Sequence, residues 1–328
     1  MTLRSYVAGC GAHLPEKVLT NDDITKIVDT TDDWIQGRTG ISERRIVEDN
    51  EFTSDLAAAA AKKALENAGK SASDVDLIIV ATATPDLTFP ATAAIVQAKL
   101  GISNCTAFDL QAVCSGFIYA VSTADKFLRS GSHKCALVIG AETFSRILDW
   151  EDRTTCVLFG DGAGAFVMTA QFVDDDMSEQ QGFSGIIETE IQCDGQYVDL
   201  LYVDGGVSRT QTTGHLRMQG NKVFRQAIER ISSAMVTVCD RSGIYPKDID
   251  WFVPHQANER IIHGIVTKLE LRSEQVVSTI AKHGNTSAAS IPLAYSTAVE
   301  DGRIKSGDLV MLEAMGGGLT WGAILLRA

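Results

Sequence analysis

The run DLQAVCSGFIYAV at residues 109–121 carries one thiol, Cys114, followed by Ser115 and Gly116. A free cysteine in an apolar stretch commonly packs as a small hydrophobe, so residue type alone favours core over reagent. Position shifts that balance. Residues 105–113 read as a strand and SGFIYAVSTADKFLRSG as a helix, which places the sulfur at a helix start. Unpaired amide groups and the helix dipole favour thiolate over thiol there, so the expected pKa is lowered. Two further polar residues follow strand-like runs: His255 after IDWFVP, and Asn285 in KHGNTSAAS ahead of the helix-like IPLAYSTAVEDGR. An imidazole takes or shares a thiol proton, and a carboxamide donates to developing negative charge. Taken singly, such a histidine is commonly a hydrogen-bonded core or surface residue and Asn in HGN a turn former. Together at strand ends they form a candidate catalytic set.

The elements that must position this set read as a duplication. SDLAAAAAKKALENAGK predicts a helix with Ser54 as its N-cap and Gly69 at its C-terminal end, followed by the buried strand of DVDLIIVATAT. NKVFRQAIERISSAMVTVCDRSG predicts a second helix, apolar at Val223, Ile228, Ile231 and Met235 and ending near Gly243, followed by turn and strand in KDIDWFVPHQA. Gly69, Asp74 and Asp76 precede Gly243, Asp248 and Asp250 by 174 positions, and AVSTA at 120–124 precedes AYSTA at 294–298 by the same offset. The strand-like ALVIGAE and DLVMLEA recur at nearly that spacing. Chance likeness between two α/β segments is the alternative, which three ordered matches at nearly one spacing disfavour. The expected domains are 1–172, carrying the cysteine, and 173–328, carrying the histidine and asparagine, joined through the acidic segment at 171–182. A pseudo-twofold packing of the halves would face His255 and Asn285 towards Cys114.

Composition bounds the rest. The chain has 328 residues, suits two ordinary domains and carries a formal charge of −13, which disfavours nucleic acid as a partner. Its apolar runs fall well short of the ~20 residues that cross a bilayer, and the N-terminus does not read as a signal peptide, so a cytoplasmic protein is expected without a membrane. Seven scattered cysteines without a C-x-x-C pair argue against a disulfide framework and a metal site. FGDGAGA lacks the phosphate-loop pattern and reads as a close-packed turn.

VCSGFIYA, PHQANERII, KHGNTSAASIPLA and LEAMGGGLTWGA resemble, in order and spacing, the active-site segments of the β-ketoacyl-acyl-carrier-protein synthases III. These are the initiating condensing enzymes of type II fatty acid synthesis. DTTDDWIQGRTGISERRI and FGDGAGA match as well, and the likeness spans essentially the whole chain. The resemblance implies a thiolase-like duplicated five-layer α/β/α/β/α fold, a homodimer and an acyltransferase. The implied reaction is a decarboxylative Claisen condensation of a short acyl-coenzyme A primer, acetyl above all, with malonyl-acyl-carrier protein. It implies no permanently bound cofactor, coenzyme A arriving as a thioester substrate.

Carried over position by position, Cys114 is implied to be the acylated nucleophile, and His255 and Asn285 to hold the charge formed when malonyl loses carbon dioxide. The backbone amides of Cys114 and Gly317 are implied as the oxyanion hole, with Gly316 and Gly318 easing the approach. Trp34, Arg38, Thr39 and Arg153 match positions that hold the adenine and phosphates of coenzyme A. Gly220, Phe224 and Asn258 match the pantetheine tunnel. Gln256, Ala257, Asn258, Glu259 and Arg260, with Arg225 and Lys222, match the side that meets the acidic carrier protein. Arg230 and Lys268 belong to the same basic helices, although a solvated helix face explains Lys268 equally. Phe89 matches a residue that floors the partner subunit's acyl pocket. Met315 stands where an aromatic is common, and residues 172–182 and 205–214 look longer than usual.

Other readings stay open at this point. A relative using a different starter acyl group, in secondary metabolism, shares every motif above. A degradative thiolase would be expected to use a late second cysteine, and none follows Cys239. A cysteine hydrolase also combines Cys, His and Asn, but without the coenzyme A set, and a non-catalytic binding member would leave Cys114 unreactive.

Overall fold

The computed structural model describes residues 2–173 and 183–328. Nine strands form its two large sheets: β1 (Thr2–His13), β2 (Leu77–Ala81), β3 (Thr106–Leu110), β4 (Cys135–Thr143), β5 (Asp161–Val173), β6 (Gly185–Cys193), β7 (Trp251–Pro254), β8 (Leu309–Gly316) and β9 (Thr320–Arg327). The principal helices are α1 (Asp32–Thr39), α2 (Thr53–Asn67), α3 (Thr92–Lys99), α4 (Gly116–Arg129), α5 (Gly220–Ser242), α6 (Glu259–Lys268) and α7 (Ser290–Glu300). The first sheet runs β1-β5-β4-β2-β3 and the second β6-β9-β8-β7. In the first, β2 is parallel to both β3 and β4, and β4 continues into antiparallel β5 and β1; in the second, edge strand β7 is parallel to β8, which continues into antiparallel β9 and β6.

The sheets repeat one another at the offset seen in the sequence. Leu77 and Trp251 open β2 and β7, Cys135 and Leu309 open β4 and β8, and Gly116 and Ser290 open α4 and α7. The two aspartates of the repeat perform one task twice: Asp76 accepts from the Cys135 amide at 3.0 Å and Asp250 from the Leu309 amide at 2.8 Å. Each thereby pins the start of a central strand to its parallel neighbour. Where β3 extends the first sheet, the second has a single parallel bridge from Phe252 to Val276.

Strands buried on both faces read as apolar runs, and β2 (LIIVA) is wholly buried. Helices therefore cover every face. α2 packs on the outer face of the first sheet, α4 and α7 lie between the sheets, and α5 covers the second with α6 against it, giving five layers. Glycine sets the tightest approach: a side chain on Gly164 of β5 would meet the Pro292 and Leu293 backbone of α7 at 2.7 Å.

Three local expectations are corrected. Ser54 lies inside α2; the cap position is Phe52, whose amide donates to Asp55 at 3.0 Å because the acid three residues on supplies the acceptor the cap residue lacks. In the second helix Ile228 is half-buried beside Gly264 of α6, while Val223, Ala227, Ile231 and Met235 form the buried stripe. FGDGAGA is largely strand, because its glycines let β5 lie flat against α7. Both helix-ending glycines are left-handed as expected, Gly69 at φ +60° and Gly243 at φ +67°. The acidic joining segment, 174–182, lies outside the described residues, and the 172/173 boundary falls at the end of β5. Residues 205–214 fold back on themselves through a Gly206–Thr212 bridge. Among the described residues no helix is long and apolar enough to cross a membrane, and all seven cysteines are free.

Candidate active site

Two short helical turns, Val113–Ser115 and Ser287–Ala289, meet between the sheets just ahead of α4 and α7. They are equivalents in the duplication, and their first residues, Val113 and Ser287, both adopt a left-handed φ of +49°. A left-handed β-branched residue costs roughly 1–2 kcal/mol, so this elbow persists because surrounding packing holds it. Its consequence is placement. Cys114 leaves the chain at the sharpest point, two residues before α4, and its sulfur-bearing side chain faces a cavity of about 320 Å³.

His255 follows β7, its amide donating to the Glu313 carbonyl of β8 at 2.9 Å. Asn285 is held on both sides: its amide donates to Leu158 at 2.9 Å and its carbonyl accepts from Gly160 at 3.0 Å. The Ser287 amide donates to Asn285 Oδ1 at 2.9 Å, which turns the carboxamide so that its NH2 group is left for the cavity. All three candidate residues line that cavity while being nearly buried, at 4–5% exposure. Ser290 fixes the ring of His255. Its Oγ lies 2.6 Å from Nδ1 and accepts from the Gln256 amide at 3.3 Å, so its own proton goes to Nδ1 and the imidazole carries its proton on Nε2.

Burial decides the charge states. It lowers the His255 pKa to about 3, so the imidazole is neutral and acts as an N–H donor. It raises the Cys114 pKa to about 12, with Ser287 hydrogen-bonding the sulfur in opposition and Glu142 adding to the rise. The expectation of a lowered thiol pKa is corrected: desolvation of the sulfur outweighs the helix terminus, and the resting group is a thiol.

The cavity opens outward along α1, α5 and the start of α6. Trp34, Arg38, Thr39, Gly220, Phe224, Asn258, Ala257, Arg260 and Met315 line it. Arg153 lies at the rim instead, stacked 5.1 Å above Trp34 and donating to the Asp29 carbonyl. Thr39 is buried and its hydroxyl is spent on Ile35. Asn258 caps α6 through the Arg260 amide and donates to the Arg38 carbonyl, so it ties α6 to α1. Glu259, Arg260, Lys222, Arg225 and Lys268 are exposed.

Two docking readings are corrected. Gln256 is fully buried and bonds Pro254, Val277 and Thr279, which leaves it nothing to offer a partner. Arg230 turns inward to Asp194 and stacks on Trp321 at 4.4 Å. Gly316 approaches the Cys114 amide so closely that a side chain there would lie 2.8 Å from it, whereas Gly317 packs against the Leu201 carbonyl and is not a cavity wall. Phe89 is 83% exposed and outside this cavity.

Four polar residues beside the reacting centre escaped the sequence reading: Ser287, Ser290, Glu142 and Glu313. Ser287 and Ser290 were visible in NTSAAS only as small polar residues. Glu313 and Glu142 are carboxyls in apolar strand runs, LVMLEAM and CALVIGAE, and that mismatch was the available signal. Glu313 lines the cavity, its Oε2 lacks a partner, and burial raises its pKa to about 8.

Comparison with known proteins agrees with this architecture. Residues 108–195 match the family model for 3-oxoacyl-[acyl-carrier-protein] synthase III and residues 239–328 the model for its C-terminal part. The β-ketoacyl-[acyl-carrier-protein] synthase III of Rhodospirillum centenum is 59% identical over 327 residues, all of both chains. The crystal structure of the Aquifex aeolicus 3-oxoacyl-[acyl-carrier-protein] synthase III superposes with a TM-score of 0.92 at 47% identity, covering 99% of this chain and 100% of that one. The priming β-ketosynthase of the R1128 polyketide pathway superposes at 0.90 with 33% identity, covering 98% and 96%. A thiolase fold with its central cysteine elbow, matched at this identity over its full length, makes the chain an acyltransferase of the 3-oxoacyl-[acyl-carrier-protein] synthase III family.

Proposed function

We propose that the protein condenses acetyl-coenzyme A with malonyl-acyl-carrier protein through an acetyl-Cys114 intermediate, as a cytoplasmic homodimer without a permanently bound cofactor. The observation that carries this reading is one cavity walled by Cys114, His255 and Asn285 at its floor and by Trp34, Arg38 and Phe224 towards its mouth. A thiol exchanging with a thioester trades one sulfur leaving group for another of similar basicity, so the acyl group stays reactive. Neutral His255 with its proton on Nε2 and the free amide of Asn285 are two donors suited to the enolate oxygen formed on loss of carbon dioxide. The Cys114 amide is a donor suited to the tetrahedral oxyanion on the acyl carbon, whereas Gly317, the second donor that the resemblance implies, lies outside the cavity wall.

Arg38 and Arg153 flank the Trp34 ring, a pairing suited to an adenine and its phosphates. Gly220, Phe224 and Asn258 line the passage inward, with Thr39 at its side. Exposed Lys222, Arg225 and Arg260 at the mouth form a local basic patch on a chain of charge −13, which suits an acidic carrier protein; Ala257 and Glu259 flank it.

Mass spectrometry after incubation with acetyl-coenzyme A is expected to find one acetyl group on the Cys114 peptide, and none in Cys114→Ala. His255→Ala and Asn285→Ala are expected to load acetyl normally and to decarboxylate malonyl carrier protein about 100-fold more slowly. Equal loss of both steps contradicts the division of roles. Pliable Met315 in the cavity wall favours a second reading, a different starter acyl group in secondary metabolism. Competition among acyl-coenzyme A thioesters of graded length decides between the two.

A further inference from the structure

Glu142, near the end of β4, is completely buried. An isolated carboxylate there is costly unless it is neutral or well bonded. Thr84 Oγ1 donates to its Oε2 at 2.6 Å, Thr82 Oγ1 at 3.2 Å and the Ala83 amide at 3.1 Å. The remaining bond comes from the other half of the fold: Ser287 Oγ donates to Oε1 at 3.0 Å. Ser287 also stands on the elbow that packs against the Cys114 elbow, and its side chain draws the thiol pKa down against the effect of burial. Thiol, hydroxyl and carboxyl thus form one chain, and its middle link is the strained residue of the second elbow. Among the described residues the groups bonded to the carboxyl are hydroxyls and one backbone amide, and the Cys114 thiol is the titratable group coupled to it.

We propose that Glu142 is the acceptor of the Cys114 proton, acting through Ser287, and that it stores that proton for as long as the acyl-enzyme exists. The proposal rests on Cys114 being the acylated nucleophile. As sulfur attacks the thioester carbon, the thiol proton passes to Ser287 Oγ and the Ser287 hydroxyl proton passes to Glu142 Oε1. The carbon–sulfur bond to coenzyme A breaks, and the departing thiolate takes a proton from solvent. In condensation the enolate carbon bonds the acyl carbon, the Cys114 sulfur leaves, and Glu142 returns its proton through Ser287. The same carboxyl is base in the first half-reaction and acid in the second. Burial raises its pKa to about 7 against about 12 for the thiol, so transfer must accompany bond formation in loading and runs downhill in condensation. Neutral His255 remains free to serve as a hydrogen-bond donor.

Single-turnover acetylation of Cys114, quenched and read by mass spectrometry from pH 5.5 to 9, tests the relay. The parent rate is expected to rise through an inflection near 7. In Glu142→Gln the inflection is expected to vanish and the rate at pH 7.5 to drop about 100-fold; Ser287→Ala does the same, and Glu142→Asp recovers part of the loss. Loading within about threefold of the parent with an unchanged profile overturns the proposal, as does a loss that is equal at every pH. Should Glu142→Gln fail to fold, Ser287→Ala decides, since it breaks the relay and leaves the carboxyl in place. A parent that takes no acetyl at any pH removes the acyl-cysteine reading itself, whereas a parent and variants that load alike remove only the relay.

Discussion

At the scale of single residues, burial governs behaviour more than residue type does. Cys114, His255 and Asn285 were legible because thiol, imidazole and carboxamide each announce a chemistry. Their charge states were not, because desolvation depends on neighbours from other parts of the chain. Glu313 shows this most clearly. It stands in an apolar run, its Oε2 has no partner, and burial raises its pKa to about 8. A carboxyl whose folded pKa lies above its unfolded value of 4.5 binds more protons folded than unfolded. Stability is therefore unpenalised below the unfolded pKa and falls as pH rises through 4.5 to about 8, levelling above that. Glu313→Gln, which cannot ionise, is expected to escape this loss. The gap in Tm between variant and parent should widen by about 3 °C or more between pH 5 and pH 8.5; a constant gap would show that Glu313 carries no buried charge.

At the scale of elements, the two elbows and the strands behind them do the positioning. The sequence showed a strand before Cys114 and a helix after it, but nothing in QAVCSG announces a left-handed valine, since β-branched residues avoid that region. The conformation is imposed by contact with the second elbow. Gly140 of β4 backs that second elbow from behind. A side chain there would strike the Ala288 backbone, with the carbonyl carbon 2.8 Å away. Gly140→Ala is expected to push the 287–289 turn aside, with Asn285 and Ser287 on its flank. The expected cost is about 1–3 kcal/mol of stability and a fall of about tenfold or more in kcat/KM, checked by thermal melting and steady-state assay. An unaffected variant would show that the turn is not held from behind.

At the scale of the whole molecule, duplication makes the cavity. Two sheets of the same order sandwich α4 and α7, and the elbow of each half meets that of the other at the shared layer. One side of the molecule nevertheless looks unfinished. Phe89 and Leu87 expose 83% and 53% of their surfaces on one loop, beside a second cavity lined in part by Leu87, Val207 and Arg146. The family resemblance implies that in a homodimer this aromatic closes the partner's acyl pocket. Phe89→Ala is then expected to raise the ratio of kcat/KM for butyryl over acetyl primers by about tenfold; an unchanged ratio assigns Phe89 no part in primer selection.

The sequence by itself determined the elements, their duplication and the identity of the three polar residues at strand ends. Those depend on hydrophobic period, helix-ending glycines and residue chemistry, all of which act over a few neighbours in the chain. Only the tertiary structure decided that the sulfur rests as a thiol, that His255 is neutral with its proton on Nε2, and that Gln256 is a strut. The same holds for the buried carboxyl at the end of β4, which touches Cys114 through a serine 145 positions further along the chain. Charge and proton position follow from desolvation and from partners contributed by the opposite half, and neither exists until the halves have packed.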